Sequence, residues 1–432
     1  MILVDRVKRV SSLFIKIMIF IILLLTTRVQ SQDWAKSLIN NLQRVDLRTL
    51  GYPNVNQIPE NSSAITSLLL GKDEKIYGGT SGENAYLFLF NPITNKVKHL
   101  GRLNEQESIH HALVQDSDGY IYIGTGKDMF NEIELSSVGL NSEPVDQTLW
   151  RDIKNHFKDY DGGHLYRYNP NVSNDKVKLP DMECEVEDLG IPVSNNSIYA
   201  LTISPDGNEI YGLTYPDGHF FTYSIIDKIF KDFGEIDEQL SFHGPERYWR
   251  SLPRALICDD SGRVYTSSTN GILKYYSPES KKIESTTLKI PGDYYHNQFY
   301  TDYTVVEYFI KDDTGLIYGG TSDGYLFSLN VHKMELLNLG KPRSERRLRC
   351  LTMGKNGKIY LMAGERSQSR PCQFYVYDPK SSSFEELGLL IADRSPYYYW
   401  RGYQFDSMLT GVDGTLYFGE SERRSHLFLY LP

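Results

Sequence analysis

Ile76-Tyr77-Gly78-Gly79-Thr80, followed by Leu87-Phe88-Leu89-Phe90-Asn91-Pro92, reads as one strand running into a second, aromatic one. The apolar–Tyr pair that opens it recurs at Ile121-Tyr122, Ile210-Tyr211, Val264-Tyr265, Ile317-Tyr318, Ile359-Tyr360 and Leu416-Tyr417. Most pairs follow a turn such as Ser117-Asp118-Gly119 or Val412-Asp413-Gly414; Gly and Asp supply the backbone freedom such turns need. The aromatic strand recurs as Leu165-Tyr166-Arg167-Tyr168-Asn169-Pro170 and Phe374-Tyr375-Val376-Tyr377-Asp378-Pro379. Self-similarity at this period marks a repeat architecture.

Each unit reads as four strands: an apolar first strand, the Tyr-anchored second, the aromatic third, and a fourth ending in Leu-Gly or similar, as at Leu100-Gly101 and Leu339-Gly340. Alternating patterns with turn signals every 8–12 residues belong to sheets. The anchors lie 45, 89, 54, 53, 42 and 57 residues apart; an insertion at residues 126–162 accounts for the 89. The last unit stops after its third strand at Pro432, while residues 45–51 have the fourth-strand pattern before the first unit begins. A blade built from both ends would close a ring and remove sheet edges. The expected fold is therefore an all-β, seven-bladed β-propeller with four antiparallel strands per blade, its last blade closed by an N-terminal strand, in a single domain over residues 32–432.

Residues 1–31 read as a secretory signal peptide: Arg6, Lys8 and Arg9 precede an apolar run at 17–25, with Val29 and Ser31 before the cut. Lys16 leaves the apolar stretch short of the ~20 residues a membrane span needs, so no stable membrane insertion is expected after cleavage. The chain is read as secreted, extracellular or periplasmic, and as a monomer. Residues 1–31 carry five Lys or Arg and one Asp, so their removal takes the net charge from −9 to −13. That balance excludes general nucleic-acid binding, which needs a basic footprint. Cys184, Cys258, Cys350 and Cys372 are an even set in an exported chain, which permits disulfides. Cys258 and Cys350 lie within apolar strand patterns, so mostly buried thiols are expected.

In a propeller the first strands line an axial channel, and the strand 4-to-1 and 2-to-3 connections share one face. Residues 234–251, 292–304, 340–347 and 388–407 are the 4-to-1 connections of the later blades, and they concentrate Arg and aromatic residues. Tyr-Trp-Arg occurs twice in them, as Tyr248-Trp249-Arg250 and Tyr399-Trp400-Arg401. Aromatic faces stack on sugar rings, and guanidinium forks grip carboxylate or sulfate. Tyr248, Trp249, Arg250, Tyr303, Trp400 and Arg401 are thus the candidate substrate-binding residues, against the alternative of plain packing. Eleven residues before each anchor stand Thr66, His111, Ala200, Arg254, Glu307, Arg349 and Asp406, with Tyr199 one residue away. His111, Tyr199, Arg254, Arg349, Glu307 and Asp406 form a candidate catalytic ring near the axis. Either they perform proton transfer beside an anionic substrate, or they are a polar channel lining whose charges neutralise one another. His164, His219 and His426 recur at the start of third strands, which suggests a structural preference rather than a metal site. The insertion (eight acidic, four basic residues) faces the basic run 341–349 and reads as a lid or a surface decoration. Asp128, Glu132, Glu134, Asp159 and Asp161 are weak candidate donors for a structural divalent cation such as calcium, because EF-hand spacing is absent; otherwise no metal or cofactor is called.

At the level of these repeats, residues 45–432 resemble secreted seven-bladed polysaccharide lyases and glycosidases acting on uronic-acid sugars, the ulvan lyase families among them. The resemblance implies an acidic polysaccharide or oligosaccharide as partner and cleavage by β-elimination, with a Tyr or His abstracting the C5 proton and an Arg neutralising the carboxylate. His111, Tyr199 or Tyr248, and Arg254 or Arg349 are of compatible type. The alternative is a non-catalytic ligand- or protein-binding propeller, because this architecture hosts many chemistries.

Overall fold

The computed structural model describes residues 42–46, 58–128, 155–172, 179, 181–237, 252–268, 270–293, 304–344, 347–364, 372–393, 399–402, 404–421 and 425–432. Within them the chain forms seven antiparallel four-stranded sheets, the blades of a seven-bladed β-propeller. The first strands of successive blades are Ala64–Leu70, Leu113–Gln115, Ser197–Ile203, Ile257–Cys258, Val306–Lys311, Leu348–Met353 and Phe405–Thr410. Each contacts the first strands of its two neighbours, and Ala64–Leu70 meets Phe405–Thr410, so these strands encircle the axis.

The core is divided into wedges between consecutive blades rather than gathered in one centre. One wedge joins Tyr77, Leu87 and Leu100 of the first blade to Leu113, Ile123 and Tyr166 of the second. Another joins Ile65, Phe88 and Val97 to Tyr417, Leu427 and Leu429, packing the last blade on the first. The seven anchor tyrosines are distributed one to a wedge, each buried against the blade that follows. In the first two blades the hydroxyl explains the choice of Tyr over Phe. Tyr77 donates to Asp73 at 3.0 Å and Tyr122 to Asp116 at 3.2 Å. These carboxylates hold the turn between strands one and two, where Asp116 also accepts the Tyr120 amide at 2.9 Å.

The glycines after the anchors are required by close approach. A Cβ on Gly78, Gly212 or Gly319 would lie 2.1–2.3 Å from the ring of Phe88, Phe221 or Phe327 on the paired third strand. A Cβ on Gly79 would lie 2.5 Å from Ile109, and one on Gly419 2.5 Å from Ile65. The first set lets aromatic rings cover the sheet; the second lets the next blade close in.

Two details differ from the sequence reading. In the last sheet, Leu42–Asp46 pairs antiparallel with His426–Tyr430, Asp46 opposite His426 and Leu42 opposite Tyr430. The expected strand at 45–51 overlaps it only at Val45 and Asp46; residues 47–51 lie outside the described ones. Tyr399–Arg401, read as loop, pairs with Ile391–Asp393 as a small hairpin between the sixth and seventh blades. No helix among the described residues is long and apolar enough to cross a membrane; residues 1–31 lie outside them. All four cysteines are buried, and none is joined in a disulfide.

Candidate functional site at the channel mouth

In five blades a β-bulge defines the ring position. The register between strands one and two shifts at Thr66, Tyr199, Glu307, Arg349 and Asp406 in their respective blades. A bulge leaves one residue unpaired and re-aims its side chain. Counting eleven residues back from the anchor finds the bulge in four of these five blades and fails in the third, where it lands on Ala200. There the turn between paired Ile203 and Ile210 spans residues 204–209, six residues, where the first blade has five (71–75) between Leu70 and Ile76. Tyr199, not Ala200, is the third blade's ring residue.

Side chains link the ring from blade to blade. Thr66 Oγ1 donates to the Ile109 carbonyl at 2.5 Å. The rings of His110 and Tyr199 meet at 4.9 Å, and the Arg254 guanidinium lies 5.8 Å from the Tyr199 ring centroid. Arg254 Nε lies 3.5 Å from Glu307 Oε2, and Arg347 Nη1 donates to Glu307 Oε1 at 2.8 Å. Arg349 grips Asp406 Oδ1 through Nε and Nη2 at 2.8 and 2.5 Å, and Gln404 donates to Asp406 Oδ2 at 2.8 Å. Tyr199, Arg254, Glu307, Arg347, Arg349 and Asp406 are all buried. Arg347, read from sequence only as part of the basic run, adopts φ +67°. A non-glycine residue there carries backbone strain of the kind concentrated at functional sites.

The electrostatics follow from this pairing. Burial by itself raises the Asp406 and Glu307 carboxyls, but the guanidiniums override it: Arg349 and Arg254 for Asp406, Arg347 and Arg254 for Glu307. Both are held below the usual carboxylate range. Burial draws His111 down to about 4, against the opposing pull of Asp406, and His110 down to about 3, helped by His111 and Arg254. Both imidazoles are neutral at physiological pH. Burial pushes the Tyr199 phenol up, Arg254 opposing.

The three arginines are not equally committed. Arg347 and Arg349 are hydrogen-bonded to carboxylates, whereas Arg254 lies 3.5 Å from Glu307 without a hydrogen bond, and its terminal nitrogens make none to a described residue. His111 faces the other way. With Tyr308, which it meets edge-on at 5.7 Å, it lines a cavity of about 150 Å³ shared with Ser67, Leu113, Leu256 and Ser407. Those residues follow the ring along the first strands, so the cavity lies on the side away from the 4-to-1 connections. His111 thus lines this cavity, whereas Tyr199 and Arg254 do not.

The inner end of the insertion packs towards Tyr199 through Tyr215. Phe157 is buried with its ring 5.9 Å from Tyr215, whose ring lies 5.5 Å from Tyr199. Tyr160 donates to Gln106 at 2.7 Å, and His156 Nε2 lies 3.1 Å from the Asp128 carbonyl. Residues 129–154 lie outside the described ones, as do Glu132 and Glu134; no group of three potential ligands among the described residues is placed to hold a metal ion. Tyr248, Trp249, Arg250 and Tyr303 also lie outside. Trp400 and Arg401 are described only as backbone in the hairpin. The third-strand histidines pair with carboxylates: His164 with Asp188 and His219 with Asp232 at 2.9 Å, and buried His426 with Glu420 at 2.6 Å.

A family model described as a two component regulator propeller matches residues 103–127. No curated protein matches the sequence. The fold is similar to that of a streptogramin B lyase (12% identity, TM-score 0.57, 90% of this chain and 97% of that one). It is also similar to the extracellular domain of a candidate one component system from B. thetaiotaomicron (14% identity, TM-score 0.53, 90% of this chain and 39% of that one). A fungal alcohol oxidase of the AA5 family, in complex with copper, shares it at 11% identity and TM-score 0.54 over 90% of this chain and 77% of that one. At these identities the likeness is one of fold.

Proposed function

We propose that this chain is an exported binding propeller whose channel mouth holds an anionic sugar, a uronate-containing oligosaccharide being the ligand class. The observation that carries the reading is Arg254: a buried guanidinium on the mouth side of the ring, its terminal donors unengaged by the described residues, beside the Tyr199 ring. Such a donor fork matches a carboxylate. The Tyr-Trp-Arg segments belong by connectivity to the same face and are of the residue types that stack on sugar rings. An extracellular sensor domain among the proteins of similar fold suits a binding role.

Calorimetric titration with glucuronate and galacturonate oligomers tests this. Arg254→Gln is expected to weaken binding about 10- to 100-fold, the worth of a hydrogen bond to a charged group. Unchanged affinity in that variant removes the channel mouth as the site. The second reading, β-elimination, rests on the Tyr199 phenol beside Arg254, a residue type able to take a proton, and on the lyase among the similar folds. Its signature is a rise in ultraviolet absorbance from unsaturated uronates. Binding without that rise leaves the binding reading standing alone.

A further inference from the structure

Tyr215 ends the second strand of the third blade, Glu209–Tyr215, and was singled out by no spacing rule. Its side chain is 1% exposed, and its hydroxyl has no hydrogen-bond partner among the described residues. Buried polar groups are normally satisfied, and an orphan is a site where something absent from the structure completes the bonding. Its surroundings say what that is. The Tyr215 ring and the Arg254 guanidinium both lie against the Tyr199 ring, at 5.5 and 5.8 Å. Phe157, from the inner end of the insertion, covers the Tyr215 ring at 5.9 Å and is itself buried. Two unengaged donors of different kind, one charged and one neutral, therefore flank a single aromatic ring at the channel mouth, and the insertion supplies the wall behind the neutral one.

We propose that Tyr215 is a specificity-determining residue: its hydroxyl bonds an oxygen adjacent to the anionic group that Arg254 holds, so that the mouth selects a hydroxylated acid over a plain carboxylate. This rests on the anionic-ligand reading and narrows it. A sugar acid fits, because its carboxylate is flanked by the ring oxygen and a hydroxyl. An aliphatic ring acid of the same size engages Arg254 alone. A polar site of this kind discriminates chiefly through the group it leaves unpaired when the wrong ligand binds.

The test titrates glucuronate and galacturonate oligomers, and cyclohexanecarboxylate as the ring acid lacking neighbouring oxygens, into wild type, Tyr215→Phe and Arg254→Gln. Tyr215→Phe is expected to bind the uronates about tenfold more weakly, one hydrogen bond's worth. It is expected to bind cyclohexanecarboxylate as wild type does and to melt no lower, because the variant removes an unsatisfied buried hydroxyl. Arg254→Gln is expected to weaken both acids. The proposal is overturned if Tyr215→Phe binds uronates as tightly as wild type, or loses both acids in equal proportion. Should the variant be less stable, the ratio of the two affinities, read well below its Tm, still decides, because partial unfolding scales both alike. Wild type binding neither uronate sinks the anionic-ligand reading and this inference together. Wild type binding uronates with an unaltered ratio in Tyr215→Phe sinks this inference alone.

Discussion

At the scale of the residue, the channel mouth is a chain of pairings in which each charge depends on its neighbour. Asp406 is ionised because Arg349 and Arg254 surround it, and the two neighbouring histidines are neutral because they are buried near those same guanidiniums. The histidines make a prediction about acid. Their folded values, about 3 and about 4, lie below the ordinary 6.5. Between those limits the unfolded chain binds protons that the folded chain does not. Stability is therefore full above about pH 6.5 and falls as pH drops towards 4. Unfolding in urea across this range is expected to show the loss, and His111→Gln to flatten it. A flat wild-type profile from pH 7 to pH 4.5 contradicts the burial of these imidazoles. The carboxylates add their own loss at lower pH, because their folded values are depressed and their stabilising charge disappears only in stronger acid.

At the scale of the element, one blade is a device for placing a Tyr in a wedge and a bulge at the axis. Tyr77 and Tyr122 find a turn carboxylate within reach; the rings of Phe88, Phe221 and Phe327 need a glycine beneath them. Gly78→Ala tests the second requirement. Its Cβ would sit 2.1 Å from the Phe88 ring, and the overpacking is expected to cost about 1–3 kcal/mol, read as a lower urea midpoint with an unchanged slope. A variant as stable as wild type shows that the ring moves freely and does not need the glycine. The bulge explains why the ring is chemically diverse. Its residue is released from ladder pairing, so Thr, Tyr, Glu, Arg and Asp all fit one backbone geometry. Fixed spacing from the anchor finds it wherever the intervening turn holds five residues, and misses it by one where residues 204–209 make six.

At the scale of the whole molecule, the propeller has no single core, and its stability is shared among wedges that each join two blades. The wedge between the last blade and the first is ordinary in composition, with Phe88, Phe90 and Tyr417 packed together. The strand Leu42–Asp46 covers the third strand of the last blade, which would otherwise present a free edge. Removing residues up to 46 is expected to lower Tm and to promote self-association through that edge, detected by scanning calorimetry and size-exclusion chromatography. A truncated chain that stays monomeric at wild-type Tm shows that the strand is dispensable.

What the amino-acid sequence determined by itself is the architecture: the apolar–Tyr pairs, the glycines after them and the aromatic third strands recur because each blade must solve the same local packing problem, and local rules are readable in order along the chain. It also pointed to Glu307, Arg349 and Asp406, each of which lies at a bulge of its first strand. The partners were decided only in three dimensions. That Arg347 joins Glu307, that His111 turns to the cavity while Tyr199 stays at the mouth, and that Phe157 packs on Tyr215 and Tyr215 on Tyr199 depend on bulges, turn lengths and contacts between blades far apart in sequence. Periodicity carries no information about those, because it records how a blade is built and not how seven different ones face each other across the axis.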